Sequence, residues 1–192
     1  KKFVFIGSPS IFTVVQAPVV GPDTPVPDYF INEYSRTKYI AEKIILDKYC
    51  HQLGMPVIVL RPRAIYGKED TTLLPKVLQK IAQRRIAVLK KSGQQVYTQL
   101  THVDDVVESV ICALKCDNNL AIGRAFNITG GDRVEMYELM KKLAKEVLGI
   151  NMVLDSSLDP TEEEKKLTQY EVRHVPYFLL YYAGGFFEFL YG

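Results

Sequence analysis

Two short runs of this chain are apolar at every position, Phe3-Val4-Phe5-Ile6 and Val57-Ile58-Val59-Leu60. Unbroken apolarity over so few residues fits strands of a parallel sheet covered on both faces. Elsewhere apolar residues return every three or four positions, the period of an amphipathic helix. One helix is predicted over residues 28–53, with Ile40, Ala41, Ile44, Ile45 and Tyr49 as its apolar stripe. Gly54 supplies the stop and Pro56 prevents continuation. A second helix over 73–84 carries Leu74, Val77, Leu78 and Ile81 on one side. A third over 106–115 is predicted to be N-capped by Asp104. A fourth carries Met136, Leu139, Met140, Leu143 and Val147, opened by a capping box of Asp132 with Glu135 and ended by Gly149. Short strands are predicted over 96–100 and 126–129. Strands alternating with helices in this way predict an α/β fold.

Two stretches break the alternation. Residues 14–28 hold Pro18, Pro22, Pro25 and Pro27 with Gly21, which excludes helix or central strand. A loop of this length in a compact domain is more often functional than idle. After residue 151 the character changes. Asp159-Pro160-Thr161-Glu162-Glu163-Glu164-Lys165-Lys166 predicts a charged helix with Pro160 in its first turn. An aromatic run then begins at Val175-Pro176-Tyr177 and includes Phe186, Phe187 and Tyr191. It is too short to span a bilayer and predicts a packed helix over a substrate region or a subunit contact.

The chain has 192 residues, enough for a substantial core, and a net charge of +2. That balance makes no electrostatic case for nucleic acid or for an anionic membrane. Lys76, Lys80, Arg84, Arg85, Lys90 and Lys91 form a basic stretch, read as a solvated face, with a phosphate-bearing ligand as the sharper alternative. No aromatic platform interleaves those charges. Three cysteines, Cys50, Cys112 and Cys116, lack metal-ligand spacing, and an odd count suits a reducing compartment such as the cytoplasm. His102 has no second histidine or cysteine at metal spacing, so no metal site is predicted.

The candidate chemistry lies in Tyr34-Ser35-Arg36-Thr37-Lys38. Residues four apart on a helix share a face, about 6 Å apart at Cβ. A protonated Lys38 amine near the Tyr34 phenol favours the phenolate, making Tyr34 a candidate acid and base for a carbonyl or an alcohol. Ser8 and Ser10 follow the first strand, at the carboxyl end where ligands bind in open α/β sheets. Arg61, where the second strand breaks, could pair with a carboxylate or cap the strand end.

Strand, serine, Tyr-x-x-x-Lys helix, strand and Arg61-Pro62-Arg63-Ala64-Ile65-Tyr66-Gly67, in that order, resemble the extended short-chain dehydrogenase/reductase family, the NAD-dependent epimerases and dehydratases. Thr101-His102-Val103-Asp104-Asp105 and Phe126-Asn127-Ile128-Thr129-Gly130-Gly131 add two similar blocks, so the resemblance spans roughly residues 2 to 150. It implies the C-terminal portion of a Rossmann-type doubly wound parallel sheet plus a smaller substrate-binding region. Residues 1–67 would be the catalytic part of the dinucleotide domain. Residues 68–192 would be mostly substrate-binding, with 102–130 returning to the sheet. The implied cofactor is NAD or NADP, and the partner a small-molecule substrate. Tyr34, Ser8 and Lys38 would be catalytic. Tyr34, Lys38, Arg61 and Pro62 would contact the cofactor, and Ser10, Ala64 and Tyr66 the substrate. Family members often have Tyr-Gly where this chain has Phe12-Thr13, a departure close to the substrate.

No Gly-x-Gly-x-x-Gly or Gly-x-x-Gly-x-x-Gly occurs in the chain, although dinucleotide folds seat the pyrophosphate on such a turn. The expectation is therefore a piece of a longer enzyme, inactive alone, with open strand edges that could support a homodimer. Ala64 and Thr98 stand where nucleotide-sugar epimerases carry polar diphosphate anchors. That substitution, with the aromatic run, favours the 3β-hydroxysteroid dehydrogenase branch and an apolar secondary alcohol or ketone. Nucleotide-sugar epimerase or dehydratase chemistry is the alternative, and a non-catalytic dinucleotide sensor a third reading.

Overall fold

The structure is a computed structural model that describes residues 1–13, 20–21, 24–83, 87–88, 97–116, 119–153, 168–171 and 173–174. It divides into two compact units, Lys1–Lys68 with Gln99–Asp132, and Glu69–Thr98 with Arg133–Gly192.

The first unit is built on a three-stranded parallel sheet in the order β1 (Phe3–Ile6), β2 (Val57–Pro62), β7 (Arg124–Ile128). Phe3 lies beside Val57 and Ile6 beside Leu60; Ile58 lies beside Arg124 and Pro62 beside Ile128. β2 is central and buried along its whole length, as its unbroken apolar run requires. On one face Val57 and Val59 pack with Cys50, Ile45 and Leu46 of the long helix. On the other, Ile58 and Leu60 meet Ala113 and Val110 of α3 (Val103–Lys115). Each fully buried Val, Leu or Ile contributes about 1.5–3 kcal/mol, so the sheet is held from both sides. A two-stranded parallel ladder, β3 (Ile65–Tyr66) with β6 (Thr101–His102), completes this unit.

The helix predicted over 28–53 begins later. α1 spans Glu33–Ile44, because Asn32 adopts extended backbone and its side-chain oxygen accepts the Ser35 amide at 2.9 Å. It continues as a wider, π-wound segment, Ile45–Gln52, whose exit bond joins the Leu53 amide to the Lys48 carbonyl at 3.1 Å. Gly54 then takes φ +69, the left-handed conformation that a glycine stop provides.

The other helix caps also differ from expectation. His102, not Asp104, caps α3: its Nδ1 accepts the Asp104 amide at 3.3 Å, and Asp104 sits inside the first turn. Glu135 itself caps α4 (Met136–Leu143) by accepting the Glu138 amide at 2.7 Å, so Asp132 is not part of a capping box. Gly149, at φ +63, ends the continuation of α4 as predicted. Of the strand expected over 96–100, only β5 (Tyr97–Thr98) forms; β6 begins beyond it at Thr101, in a different ladder.

In the second unit α2 (Leu74–Ala82) packs on the α4 region through Ile81, Tyr137 and Ala144. β5 pairs antiparallel with β8 (Val134–Glu135). β9 (Ile150–Val153) pairs with β10 (Thr168–Glu171), and β4 (Ala87–Val88) with β11 (Arg173–His174), ladders the apolar pattern did not predict. The charged helix expected over 159–166, the aromatic run from Val175 and the basic residues Arg84, Arg85, Lys90 and Lys91 lie outside the described residues.

Candidate active site

β1 ends at Ile6, and Ser8 follows at the carboxyl end of the parallel sheet. Ser8 has extended backbone and caps a short 3-10 turn, Pro9–Phe12. Its Oγ accepts the Ser10 amide at 3.2 Å and donates to Ser10 Oγ at 2.9 Å, so both candidate serines form one small network. This turn packs against α1.

α1 presents Tyr34 and Lys38 from the same side. Tyr34 is 56% exposed, and the Lys38 ammonium lies 6.0 Å from its ring centroid. Lys38 Nζ donates to the Ile6 carbonyl at 3.3 Å and sits 5.7 Å from the Phe5 ring. Through Lys38 the helix is thus tied to the strand end that leads into Ser8. An ammonium has three donors, and one is used here. An exposed phenol beside an ammonium with donors to spare, at the carboxyl end of a parallel sheet where ligands bind, could hold ligand hydroxyls and exchange a proton with one. The chain contains no glycine-rich turn for a dinucleotide's pyrophosphate.

Arg61 is buried and held by a side chain of α1. Its guanidinium is 5% exposed and pairs with Glu42 of α1, itself 4% exposed. Nε donates to Oε2 at 3.0 Å and Nη2 to Oε1, a bidentate fork. Arg61 also stacks over the Phe12 ring at 5.1 Å, while its Nη1 is buried with no hydrogen-bond partner among the described residues. Of the two alternatives for Arg61, the carboxylate pair is the one realised. Pro62 is buried in β2 beside Ile128.

Ala64 and Tyr66 lie just beyond β2. Ala64 takes φ +47, a conformation non-glycine residues rarely adopt. Thr101 holds this corner: it is fully buried, its amide donates to the Ala64 carbonyl at 3.2 Å, and its hydroxyl reaches the Arg63 and Ile128 carbonyls. Tyr66 packs edge-on against His102, with ring centroids 5.2 Å apart. Asn127, on β7, donates from Nδ2 to the Val20 carbonyl at 3.2 Å, tying part of the proline-rich stretch to the sheet. Ser35, beside Tyr34, is buried, and its hydroxyl has no hydrogen-bond partner among the described residues.

The structure therefore brings Ser8 together with Ser10, Lys38 with Tyr34 and with the end of β1, and Tyr66 with His102. The sequence reading did not find Glu42, Gly7 or Thr101. The available signal for Glu42 was its spacing, four residues after Lys38 on the inward side of α1. Among the described residues no group of three or more His, Cys, Asp or Glu side chains could hold a metal ion. Nor is any described helix long and apolar enough to cross a membrane.

Comparison with known proteins gives this geometry a context. A 3-beta-hydroxysteroid dehydrogenase of Mycolicibacterium neoaurum is 28% identical over 144 residues, 73% of this chain and 39% of the relative. A 2-alkyl-3-oxoalkanoate reductase of Stenotrophomonas maltophilia is 26% identical over 147 residues, 74% of this chain and 43% of the relative. The chain thus spans less than half the length of these relatives. Among solved structures, UDP-glucuronic acid 4-epimerase from Bacillus cereus in complex with NAD superposes with a TM-score of 0.61 at 17% identity. That match covers 91% of this chain and 51% of the epimerase. The dTDP-glucose 4,6-dehydratase of Bacillus anthracis, in complex with NAD, gives 0.58 at 19% identity, with 92% of this chain and 51% of the dehydratase covered. At such identities the likeness is one of fold, a Rossmann-type α/β sheet. The model of the NAD dependent epimerase/dehydratase family matches residues 1–129, the stretch that holds Ser8, Tyr34, Lys38 and the Arg61 corner, and the chain belongs to that family.

Proposed function

We propose that the protein to which these residues belong is an NAD- or NADP-dependent oxidoreductase acting on an apolar secondary alcohol or ketone. The observation that carries this reading is the Tyr34–Lys38 face of α1, with Lys38 bonded to the Ile6 carbonyl two residues before Ser8. In the oxidative direction Tyr34 takes the substrate hydroxyl proton onto its phenolic oxygen; in reduction it returns that proton to the carbonyl oxygen. Ser8 turns its hydroxyl from Ser10 to the reacting oxygen and holds it in line. Lys38 uses its remaining donors on ribose hydroxyls, and its positive charge supports the phenolate. Bound nicotinamide supplies or accepts the hydride. The backbone around Pro62 would meet the nicotinamide amide, and Ser10, Ala64 and Tyr66 would border the substrate.

The apolar substrate class rests on Ala64 and Thr98 in place of charged or polar anchors, because a buried diphosphate needs paired donors. Two sequence relatives named as a hydroxysteroid dehydrogenase and an oxoalkanoate reductase support the same direction. Cys50, Cys112 and Cys116 are free thiols, in keeping with work in the cytoplasm. The test is a competition on the intact protein between a panel of hydroxysteroids and alkyl ketones and a panel of UDP- and dTDP-sugars. Turnover of the apolar panel is expected. If only the sugar nucleotides are turned over or protect against thermal unfolding, the substrate reading is wrong. If neither panel reacts while dinucleotide binds, a sensing role replaces an enzymatic one.

A further inference from the structure

We propose that the buried Glu42–Arg61 pair is a positioning unit that sets the serine turn against the tyrosine–lysine helix; the inference rests on the roles given above to Ser8, Tyr34 and Lys38. Glu42 follows Lys38 by one helical turn and Tyr34 by two, so its carboxylate reports the axial position and rotation of α1. The bidentate fork onto Arg61 fixes that helix relative to the end of β2. The same guanidinium lies over Phe12, the last residue of the turn that Ser8 caps. Gly7 passes directly against both partners, and its amide donates to the Leu60 carbonyl at 2.7 Å. A Cβ on Gly7 would stand 2.9 Å from Glu42 Oε2 and 3.3 Å from Arg61 Cγ. The strand end bearing Ser8 therefore rests directly on the ion pair, which touches both sides of the catalytic arrangement without belonging to either.

A stabilising role alone does not account for this device. Desolvating two charges offsets much of their attraction, and apolar residues of similar volume often serve stability as well or better. Here one arm, Nη1, is buried with no hydrogen-bond partner among the described residues, which adds a further penalty. What the planar fork provides and an apolar pair does not is a fixed distance and angle between two elements. Misplacement by about 1 Å can cost on the order of 10²-fold in rate.

Arg61→Lys keeps the charge and the stem but replaces the fork by a single point donor, and Glu42→Gln keeps the shape but removes the charge. Both are compared with wild type in the intact protein by steady-state kinetics, dinucleotide binding and backbone hydrogen exchange. The expected result for Arg61→Lys is a kcat lower by about 10- to 100-fold. KM and dinucleotide affinity should change little, and faster exchange should be confined to residues 7–12 and 34–38. Glu42→Gln should show the same pattern, more strongly. Unchanged kcat in folded Arg61→Lys overturns the proposal, as does exchange that quickens uniformly across the first unit. If wild type turns over no alcohol or ketone, the functional reading fails, while the exchange pattern still decides whether the pair sets these two segments.

Discussion

Thr101→Val tests whether polar contacts or packing hold the corner from which Ala64 and Tyr66 project. The side chain is fully buried, and valine fills nearly the same volume, so no cavity opens. What is lost is the hydroxyl. The Ile128 carbonyl keeps the Arg63 amide at 3.1 Å, but the Arg63 carbonyl is left without the threonine hydroxyl. One hydrogen bond lost with a part-buried acceptor left unpaired costs about 1–3 kcal/mol. Thr101→Ser makes the opposite cut, keeping the hydroxyl and losing one methyl, worth about 0.8 kcal/mol. The expected order of stability is therefore wild type, then serine, then valine. Urea unfolding followed by circular dichroism reads it: at a slope near 2 kcal/mol per M, the valine midpoint falls by about 1 M and the serine midpoint by about half that. A valine variant more stable than the serine variant would refute the reasoning, because methyl packing would then outweigh both carbonyl contacts.

Other outcomes follow from the same geometry. Tyr34→Phe in the intact protein should lower kcat on the order of 10²–10⁴-fold with little change in dinucleotide affinity; unchanged kcat removes Tyr34 from the proton-transfer role. Asp70 accepts the backbone amides of Leu73, Leu74 and Thr72, which hold its carboxyl down to about 2. A folded-state value below that of the unfolded chain means its stabilisation is complete above about pH 4 and is lost as pH falls through about 2. The thermal midpoint of Asp70→Asn should thus lie below wild type at pH 7 and converge with it near pH 2, and a constant gap would argue against the charge. Ala64→Gly should stabilise the chain by about 1 kcal/mol, since φ +47 strains any residue with a Cβ. A destabilised glycine variant in the same urea assay would mean that the Ala64 methyl makes contacts worth more than the strain.

Local chemistry carried much of this protein's architecture. Unbroken apolar runs at Phe3–Ile6 and within Val57–Pro62 predicted doubly covered parallel strands, which holds for the central β2 but not for β1, an edge strand whose Phe3 and Ile6 are exposed. Gly54 and Gly149 mark helix stops because only a residue without a Cβ takes their left-handed conformation cheaply. The Tyr34–Lys38 pair was legible because four residues along a helix is itself a spatial relation. The caps were less so. Asn32, His102 and Glu135 each satisfy a helix amide, but several polar residues near each start compete, and backbone conformation selects one.

Tertiary structure alone decided how the site is braced. Glu42 and Arg61 are separated by 19 positions; Glu42 reads by itself as a solvated charge, and Arg61 as a residue that could pair with a carboxylate, with nothing to say which. They become a buried pair because β1, β2 and α1 converge where Gly7 leaves room, and desolvation forces each charge to find the other. Thr101 likewise gains its role from carbonyls 38 and 27 residues away. Periodicity and propensity describe neighbours along the chain, whereas a buried polar group is satisfied by whatever the fold brings to it. That is why the tyrosine–lysine pair could be read from the sequence and the partners that brace it could not.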